Sequence, residues 1–181
     1  MENNLDNDLI LEFVKGSELA FNKLVRKYQK MIYWHARRMV GNHLDADEVT
    51  QQVIIVIYEK LKNFKFNSSL KTWIYKITQT RSLNLIKRRK VKNFLNINDT
   101  KVLDISDHQD IVGNYDDVEK LNRLNIVLGS LPIKQREVFV FRHFEELSYN
   151  EISEITGKSI GGLKANYFHA SKKIMEIMKN E

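Results

Sequence analysis

The chain has 181 residues, with 29 lysines and arginines against 23 aspartates and glutamates, giving a formal net charge of +6. It contains no cysteine, which excludes disulfides, thiolate metal sites and cysteine nucleophiles. The acidic, polar start is atypical of a secretory signal, and no apolar run reaches the ~20 residues of a membrane helix, so we expect a cytoplasmic protein.

Charge is distributed unevenly along the sequence. Residues 1–90 carry 17 bases against 9 acids, residues 91–119 carry 2 against 7, and residues 120–181 carry 10 against 7. Two basic ends around an acidic middle predict two nucleic-acid contacts joined by a segment that does not bind nucleic acid. One proline and seven glycines favour long helices. We therefore predict an all-α protein with two small helical domains, residues 1–92 and 120–181, joined by an acidic linker over 93–119.

Two amphipathic helices are predicted in the first third of the chain. Residues 20–40 place apolar side chains at steps of three and four, and Gly41 suits the end of that helix. The second helix covers residues 45–62. Asp45 is in position to cap its N-terminus, and Glu48 lies near the positive end of its dipole.

Residues 60–98 contain eleven bases and neither aspartate nor glutamate. Because a solvated helix usually mixes both signs of charge, this pattern favours contact with phosphates and with unpaired bases. A third helix is predicted over 70–90, and one side of it carries Trp73, Lys76, Thr80, Asn84 and Lys87. An isolated helical tryptophan usually packs in a core, but its basic and polar neighbours here favour contact with a partner.

The last third of the chain predicts a helix-turn-helix. Helices from Leu121 and from Ile133 precede a capping box at Ser148–Glu151, which opens a short helix that ends at Gly157. A long helix then runs over 160–178. This geometry also occurs in plain helical bundles, but the basic, acid-free run from Ser159 to Lys173 favours DNA reading.

The exposed side of that long helix supplies chemistry suited to a DNA groove. Lysine contacts phosphates or guanine, asparagine pairs with adenine, and small or aromatic groups meet the thymine methyl. The residues predicted there are Ser159, Lys164, Ala165, Asn166, Phe168, His169 and Lys172.

Four motifs in order carry a family resemblance. Residues 45–52 read DADEVTQQ, similar to D-A-E-D-L-V-Q-E, and residues 72–77 read TWIYKI, similar to T-W-L-Y-R-I. Residues 131–139 read LPIKQREVF and match L-P-x-x-x-R-E-V-F, while residues 147–152 read LSYNEI and match L-S-Y-x-E-I. Together they make the chain resemble a group 4 (extracytoplasmic-function, ECF) sigma factor of bacterial RNA polymerase.

The resemblance pairs residues 20–90 with sigma region 2 and residues 120–176 with sigma region 4. It implies a protein that binds core RNA polymerase, directs it to promoters and helps to open the DNA, without enzymatic activity. The second helix would dock on the β′ clamp helices, and the C-terminal domain would meet the β flap. The implied core-polymerase contacts are Asp45, Asp47, Glu48, Gln51 and Gln52.

Promoter contacts follow from the same resemblance. Region 2 would hold the minus-ten element as a single strand, and region 4 would enter the major groove at the minus-thirty-five element through the exposed residues of its long helix. The implied minus-ten contacts are Trp73, Lys76, Thr80, Arg81, Asn84, Lys87, Arg88 and Arg89. An anti-sigma factor is a further implied partner, and in some members it holds the sigma factor at the inner membrane.

Departures from the family pattern leave the promoter sequence open. Gln52 replaces a usual acid on the docking helix, and Thr80 replaces a frequent asparagine near the base-capture site. Ala165 and Asn166 replace commoner serine and arginine, so the long helix is less basic than in better-known members.

Two other classes of function are compatible with parts of the sequence. A dimeric helix-turn-helix regulator would explain residues 120–181 but gives no purpose to Trp73 on a basic helix. An enzyme acting on nucleic acid would need paired carboxylates, a phosphate loop or a nucleophile, and the sequence shows none. The five histidines lack ligand-like spacing, so we expect no metal, cofactor or small-molecule substrate.

Overall fold

A computed structural model describes residues 2–95 and 115–179 of the chain. Regular structure in these two ranges is helical, as predicted, and consists of α1 (Glu2–Val14), α2 (Glu18–Val40), α3 (His43–Lys60), α4 (Leu70–Leu95), α5 (Tyr115–Ser130), α6 (Ile133–Phe139), α7 (Tyr149–Thr156) and α8 (Ile160–Lys179). Most of the predicted linker, residues 96–114, lies outside the described residues. α5 begins inside the predicted linker, six residues before the first apolar residue of the predicted helix.

The polar start of the chain forms α1, a helix that the sequence pattern does not predict. Its buried face consists of Leu9, Ile10 and Phe13. Asp6 is also buried, and it accepts a hydrogen bond of 2.5 Å from the Tyr28 hydroxyl and one of 2.7 Å from Lys27 Nζ on α2. A buried carboxylate is tolerated when it is paired in this way. Asp6, which in the sequence suggests an exposed polar segment, therefore attaches α1 to α2.

Helices α2, α3 and α4 pack around one apolar core, with Ile32, Val53 and Ile74 among its buried members. α2 confirms the predicted helix and ends at Gly41, whose φ of 92° is the left-handed conformation that glycine adopts without strain.

The cap of α3 differs from the prediction. Asn42, not Asp45, is the N-cap: its backbone is extended, and its side chain accepts the Asp45 backbone N–H at 2.9 Å. The helix therefore begins at His43. Asp45 lies inside the first turn, where its carboxylate is available for another role.

The C-terminal helices contain the predicted helix-turn-helix. Ser148 and Glu151 form the reciprocal capping box that opens α7, and Gly157 ends it with a φ of 70°. α6 continues into a π-helical turn over Val140–Phe144, which adds a residue to one turn of the helix. Leu163 and Ala170 anchor α8 in the core, whereas Ile160, its first residue, is 38% exposed.

The two groups of helices are in direct contact. α7 lies against α4, and the π turn lies against α2. Tyr75 of α4 is buried in one apolar cluster with Val138, Phe141 and Ile152 of the C-terminal helices, and Met31 of α2 packs at its edge. In this structure, residues 2–95 and 115–179 therefore share buried surface.

Candidate nucleic-acid interface

The predicted polar side of α4 is open to solvent. Lys76, Thr80, Asn84 and Lys87 are exposed, and Trp73 is half-buried at the same edge. The opposite edges are occupied, because Ile74 packs into the core of α2 and α3 while Tyr75 packs into the C-terminal helices. Contact between the two groups of helices therefore leaves the basic face of α4 accessible. Arg81, also predicted there, is half-buried.

A cavity of about 470 Å³ lies beside Trp73. Its walls come from the end of α3, from the start of α4 and from the segment between them, and they consist of Lys60, Asn63, Phe64, Lys65, Asn67, Ser68 and Trp73. The Phe64 ring lies 5.3 Å from the Trp73 ring and 5.0 Å from the Phe66 ring. Aromatic walls with amide, hydroxyl and ammonium groups match the needs of a flipped base and its phosphate.

Sequence reasoning included this loop in the acid-free stretch 60–98 but assigned no binding residue to it. Phe66 has a φ of 56°, a left-handed conformation that is costly for a bulky residue and tends to occur at functional sites. The readable signal was the run of two phenylalanines, lysines and asparagines immediately before an aromatic basic helix. That run resembles a linker loop when it is considered without Trp73.

Two of the predicted phosphate contacts are paired with acids. Arg88 Nη2 lies 2.7 Å from Glu48 Oε1, and Arg89 Nη2 lies 2.5 Å from Asp45 Oδ1. Asp45 also accepts a hydrogen bond of 2.8 Å from the Asn42 side chain. The C-terminal half of α4 is thus attached to the first turns of α3 by two ion pairs.

The predicted docking face of α3 divides into exposed and buried members. Glu48 and Gln51 are exposed, Asp47 and Gln52 are half-buried, and the Gln52 amide donates to Glu48 at 2.8 Å. Asp45 is only 3% exposed. Because its carboxylate is turned inward to Arg89, Asp45 does not present a charge to a partner in this structure.

α8 offers a different kind of surface. Ser159, Lys164, Ala165, Phe168, His169 and Lys172 are exposed, as predicted for a groove-reading helix. Asn166 is half-buried, and its Nδ2 donates to the Gly162 carbonyl of its own helix at 2.7 Å. The Asn166 amide must break this hydrogen bond before its nitrogen and its oxygen can both bind adenine.

Beyond this surface, the described residues contain no group of acidic and histidine side chains that could hold a metal ion. None of the described helices is long and apolar enough to span a membrane.

Comparison with protein families gives two matches in chain order. Sigma-70 region 2 matches residues 24–91, and sigma-70 region 4 matches residues 122–174. The matched segments together cover about two-thirds of the chain and include most of α4 and of α8.

Relatives with known names match over nearly their whole length. The ECF RNA polymerase sigma factor SigW of Bacillus subtilis is 26% identical over 178 residues, which cover 94% of this chain and 95% of the relative. The ECF RNA polymerase sigma-E factor of Escherichia coli K12 is 26% identical over 182 residues, covering 96% and 95%.

Solved structures share the fold. CnrH, in complex with the cytosolic domain of CnrY, has a TM-score of 0.74 at 19% identity and covers 98% of this chain and 99% of that one. RpoE from Bartonella quintana, in complex with the anti-sigma factor NepR, has a TM-score of 0.73 at 20% identity and covers 88% and 96%.

Proposed function

The chain belongs to the sigma-70 family, with regions 2 and 4 both present, and on that premise we propose how its surfaces share the work of promoter recognition. It acts in transcription initiation as an RNA polymerase sigma factor of the ECF type: it binds core polymerase, directs it to promoters and helps to open the DNA. Sigma factors are regulatory DNA-binding proteins. We infer that this chain carries out no catalytic reaction of its own and needs no cofactor.

The proposed division of promoter recognition rests mainly on one observation, the exposed basic face of α4 next to an aromatic cavity. Lys76, Asn84 and Lys87 are exposed along one side of the helix, and Trp73 joins that side to the cavity wall. Stacking a base on an aromatic ring is worth about 1–3 kcal/mol, which offsets the cost of taking the base out of the duplex. We assign the minus-ten single strand to this surface.

Within that surface, the cavity is the proposed site of base capture. Asn63 and Asn67 line it and offer both donors and acceptors, and Lys65 lies at the same wall. Thr80 is exposed one helical turn beyond Lys76, and its hydroxyl donates to the Lys76 carbonyl at 2.7 Å. The Thr80 oxygen can therefore accept a hydrogen bond from DNA while its proton is occupied.

We assign the minus-thirty-five duplex to α8, where Lys164, Phe168 and His169 stand exposed on one helix. Core polymerase would meet the exposed part of α3, formed by Asp47, Glu48, Gln51 and Gln52. The corresponding domain limits are 1–92 for region 2, 93–119 for the linker and 120–181 for region 4.

The remaining partners are proposed on likeness. Both compared solved structures are complexes, with CnrY in one and with the anti-sigma factor NepR in the other. By analogy we propose that an anti-sigma factor restrains this chain, in the bacterial cytoplasm or at the inner membrane, and that its β-flap contact lies in region 4.

The decisive experiment is binding to purified core bacterial RNA polymerase followed by run-off transcription from genomic fragments. Tight binding with new promoter-specific transcripts is expected and would supply the recognition sequence. Sequence-specific binding of duplex DNA by the protein alone, with no binding to core polymerase, would favour an independent helix-turn-helix regulator.

A further inference from the structure

A second basic surface lies on α2, apart from the face of α4 assigned to the melted strand. Residues 19–44 carry six lysines and arginines and neither aspartate nor glutamate. Lys23, Arg26 and Lys30 are exposed, and their steps of three and four place them on one side of the helix. Because a solvated helix usually mixes both signs of charge, this side of α2 indicates contact with phosphates.

An aromatic ring continues the same side of α2. Trp34 lies one turn beyond Lys30 and is half-buried, so part of its ring is accessible. The Arg38 guanidinium, a further turn along, lies 5.8 Å from the centre of that ring. Proteins that bind a single strand without reading its sequence combine cations for the phosphates with aromatic rings on which the bases stack. This side of α2 offers both.

A cavity of about 670 Å³ joins this side of α2 to the start of α4. Its charged lining consists of Lys27, Lys30, Arg38, Lys71, Asp6, Glu145 and Glu146. Asp6 is ion-paired with Lys27 at 2.7 Å, and Glu145 is ion-paired with Arg38 at 3.2 Å. The positive charge that the cavity offers to an anion therefore comes from Lys30 of α2 and Lys71 of α4, with Glu146 as the opposing acid.

This cavity and the base-capture cavity adjoin at the N-terminus of α4. Ser68 lines the base-capture cavity, and the next residue, Ser69, lines the cavity beside α2. The Ser69 hydroxyl accepts the backbone N–H of Thr72 at 3.0 Å and so caps the helix. The positive end of the α4 dipole, which favours phosphate, thus lies between the two cavities. A strand with one base beside Trp73 can pass over this helix end and reach Lys30.

We propose that the basic side of α2, formed by Lys23, Arg26, Lys30 and Trp34, is a further promoter contact that holds phosphates of the melted strand next to the captured base. From Lys23 to Trp34 the helix rises about 16 Å, the length of about five nucleotides at ~3.4 Å each. The contact adds affinity without reading sequence, because phosphates carry no sequence information. The proposal rests on the assignment of the minus-ten strand to α4 and its cavity.

The test uses the full chain bound to core polymerase and a promoter fragment that is left unpaired over the minus-ten element. Its affinity is measured over a range of salt concentrations for the wild type and for a double variant, Lys23→Gln with Lys30→Gln. The matched control is Lys15→Gln with Lys62→Gln, which removes the same charge from two exposed lysines of region 2 outside this side of α2.

Each lost phosphate contact should reduce the slope of log affinity against log salt by about 0.7, the value for a single strand. The double variant should therefore lose about 1.4 from the slope and bind roughly 10- to 30-fold more weakly near 0.1 M salt. The control pair should behave as the wild type. Trp34→Ala should weaken binding roughly fivefold or more at an unchanged slope, because stacking releases no counterion.

Two further measurements identify the partner of this surface. A duplex that ends upstream of the unpaired segment should bind equally well to the wild type and to the double variant. Affinity for core polymerase without DNA should also be the same for both. An equal loss on the upstream duplex would assign the lysines to paired DNA, and a loss of core affinity would assign them to polymerase; either result would overturn the proposal.

Trp73→Ala, measured on the same unpaired fragment, separates this proposal from the one on which it rests. Weaker binding in Trp73→Ala together with unchanged affinity and slope in the Lys23 and Lys30 double variant would remove the α2 contact alone. Unchanged binding in both would overturn the α2 contact and also the assignment of the melted strand to α4. A loss in the control pair equal to that of the double variant would show a general effect of charge and would likewise overturn the α2 contact.

Discussion

α4 and α8 both present lysines to the outside, but their surroundings differ. α4 runs beside an aromatic cavity and carries arginines paired with Glu48 and Asp45. On α8 the Phe168 ring is 65% exposed, and the side chains lie along a plain helix surface. A cavity suits a base that has left its stack, whereas a convex helix suits the major groove. The two helices thus match the two states of promoter DNA, melted and paired.

The largest expected effect tests the assignment of α4 to the melted strand. Trp73→Ala removes a stacking wall and should reduce promoter opening roughly 5- to 150-fold, the equivalent of about 1–3 kcal/mol. Lys76→Ala and Asn84→Ala should act in the same direction with smaller losses. Permanganate reactivity of unpaired thymines measures the opening.

Trp73→Phe is the control, because it keeps an aromatic wall and should retain most of the opening. Duplex binding by region 4 should survive in every one of these variants. Normal opening in Trp73→Ala, Lys76→Ala and Asn84→Ala together would remove the assignment of α4 to the melted strand.

The second prediction tests the assignment of α8 to duplex DNA. Replacing Lys164, Asn166 or His169 should change base preference at the upstream element only, by about 1–3 kcal/mol for each lost bidentate pair. Selection of bound sequences from a randomised promoter library measures the preference at both elements. A shift in preference within the melted region would contradict the difference drawn between the two helices.

Much of this comparison could be anticipated from sequence, because its determinants are local. The capping box at Ser148 and Glu151, the turn at Gly157 and the one-sided charge of α4 all depend on residues within a few positions of each other. The four family motifs are equally local, and they led to the family that the two region matches show.

The rest depends on partners distant in sequence. Asp45 was assigned to a cap and to polymerase contact, yet its carboxylate pairs with Arg89, 44 positions away. α1 was missed because Asp6 is an ordinary surface residue until Tyr28 is placed beside it. The contacts of Glu145 with Arg38 and Tyr75 likewise join residues that no sequence period relates.

A third, smaller effect distinguishes the roles of two acids of α3, the buried Asp45 and the exposed Glu48. Asp45→Ala should lower the free energy of unfolding by about 1 kcal/mol, mainly through the lost hydrogen bond with Asn42, because Arg89 is half-exposed and screened by water. Its core affinity should stay unchanged. Glu48→Gln should do the reverse, keeping stability and weakening core binding.

Urea unfolding and a core-binding titration measure the two quantities for both variants. Asp47→Asn, at a half-exposed position of the same turn, is the control for stability. If Asp45→Ala lost core affinity at unchanged stability, Asp45 would be a direct contact of core polymerase. Its ion pair with Arg89 would then not be what stabilises the packing of α4 on α3.

The smallest expected effect concerns pH. Burial acts to raise the pKa of Glu145, but His35, the Tyr75 hydroxyl and the Arg38 charge outweigh it, and the pKa falls below its ordinary value of 4.5. The unfolded chain, in which the pKa of Glu145 is ordinary, binds more protons between the two values, so the contribution of Glu145 to stability is present above 4.5 and lost as the pH falls through the lower pKa.

The free energy of unfolding should therefore fall as the pH is lowered below 4.5, and Glu145→Gln should weaken that dependence. Urea unfolding at a series of pH values measures the effect. The same dependence on pH in Glu145→Gln would assign it to another group.

The π turn over Val140–Phe144 sets a constraint on the length of this segment. Phe141 is fully buried beside His35 and Tyr75, while Glu145 must still reach Arg38. A π turn holds one residue more than an α turn, so removing one residue would turn everything after it by about 100° relative to Phe141. Arg142 and His143 are exposed and can vary in kind. In related chains the exposed positions of this stretch should accept substitutions readily, whereas single-residue deletions should be rare throughout it.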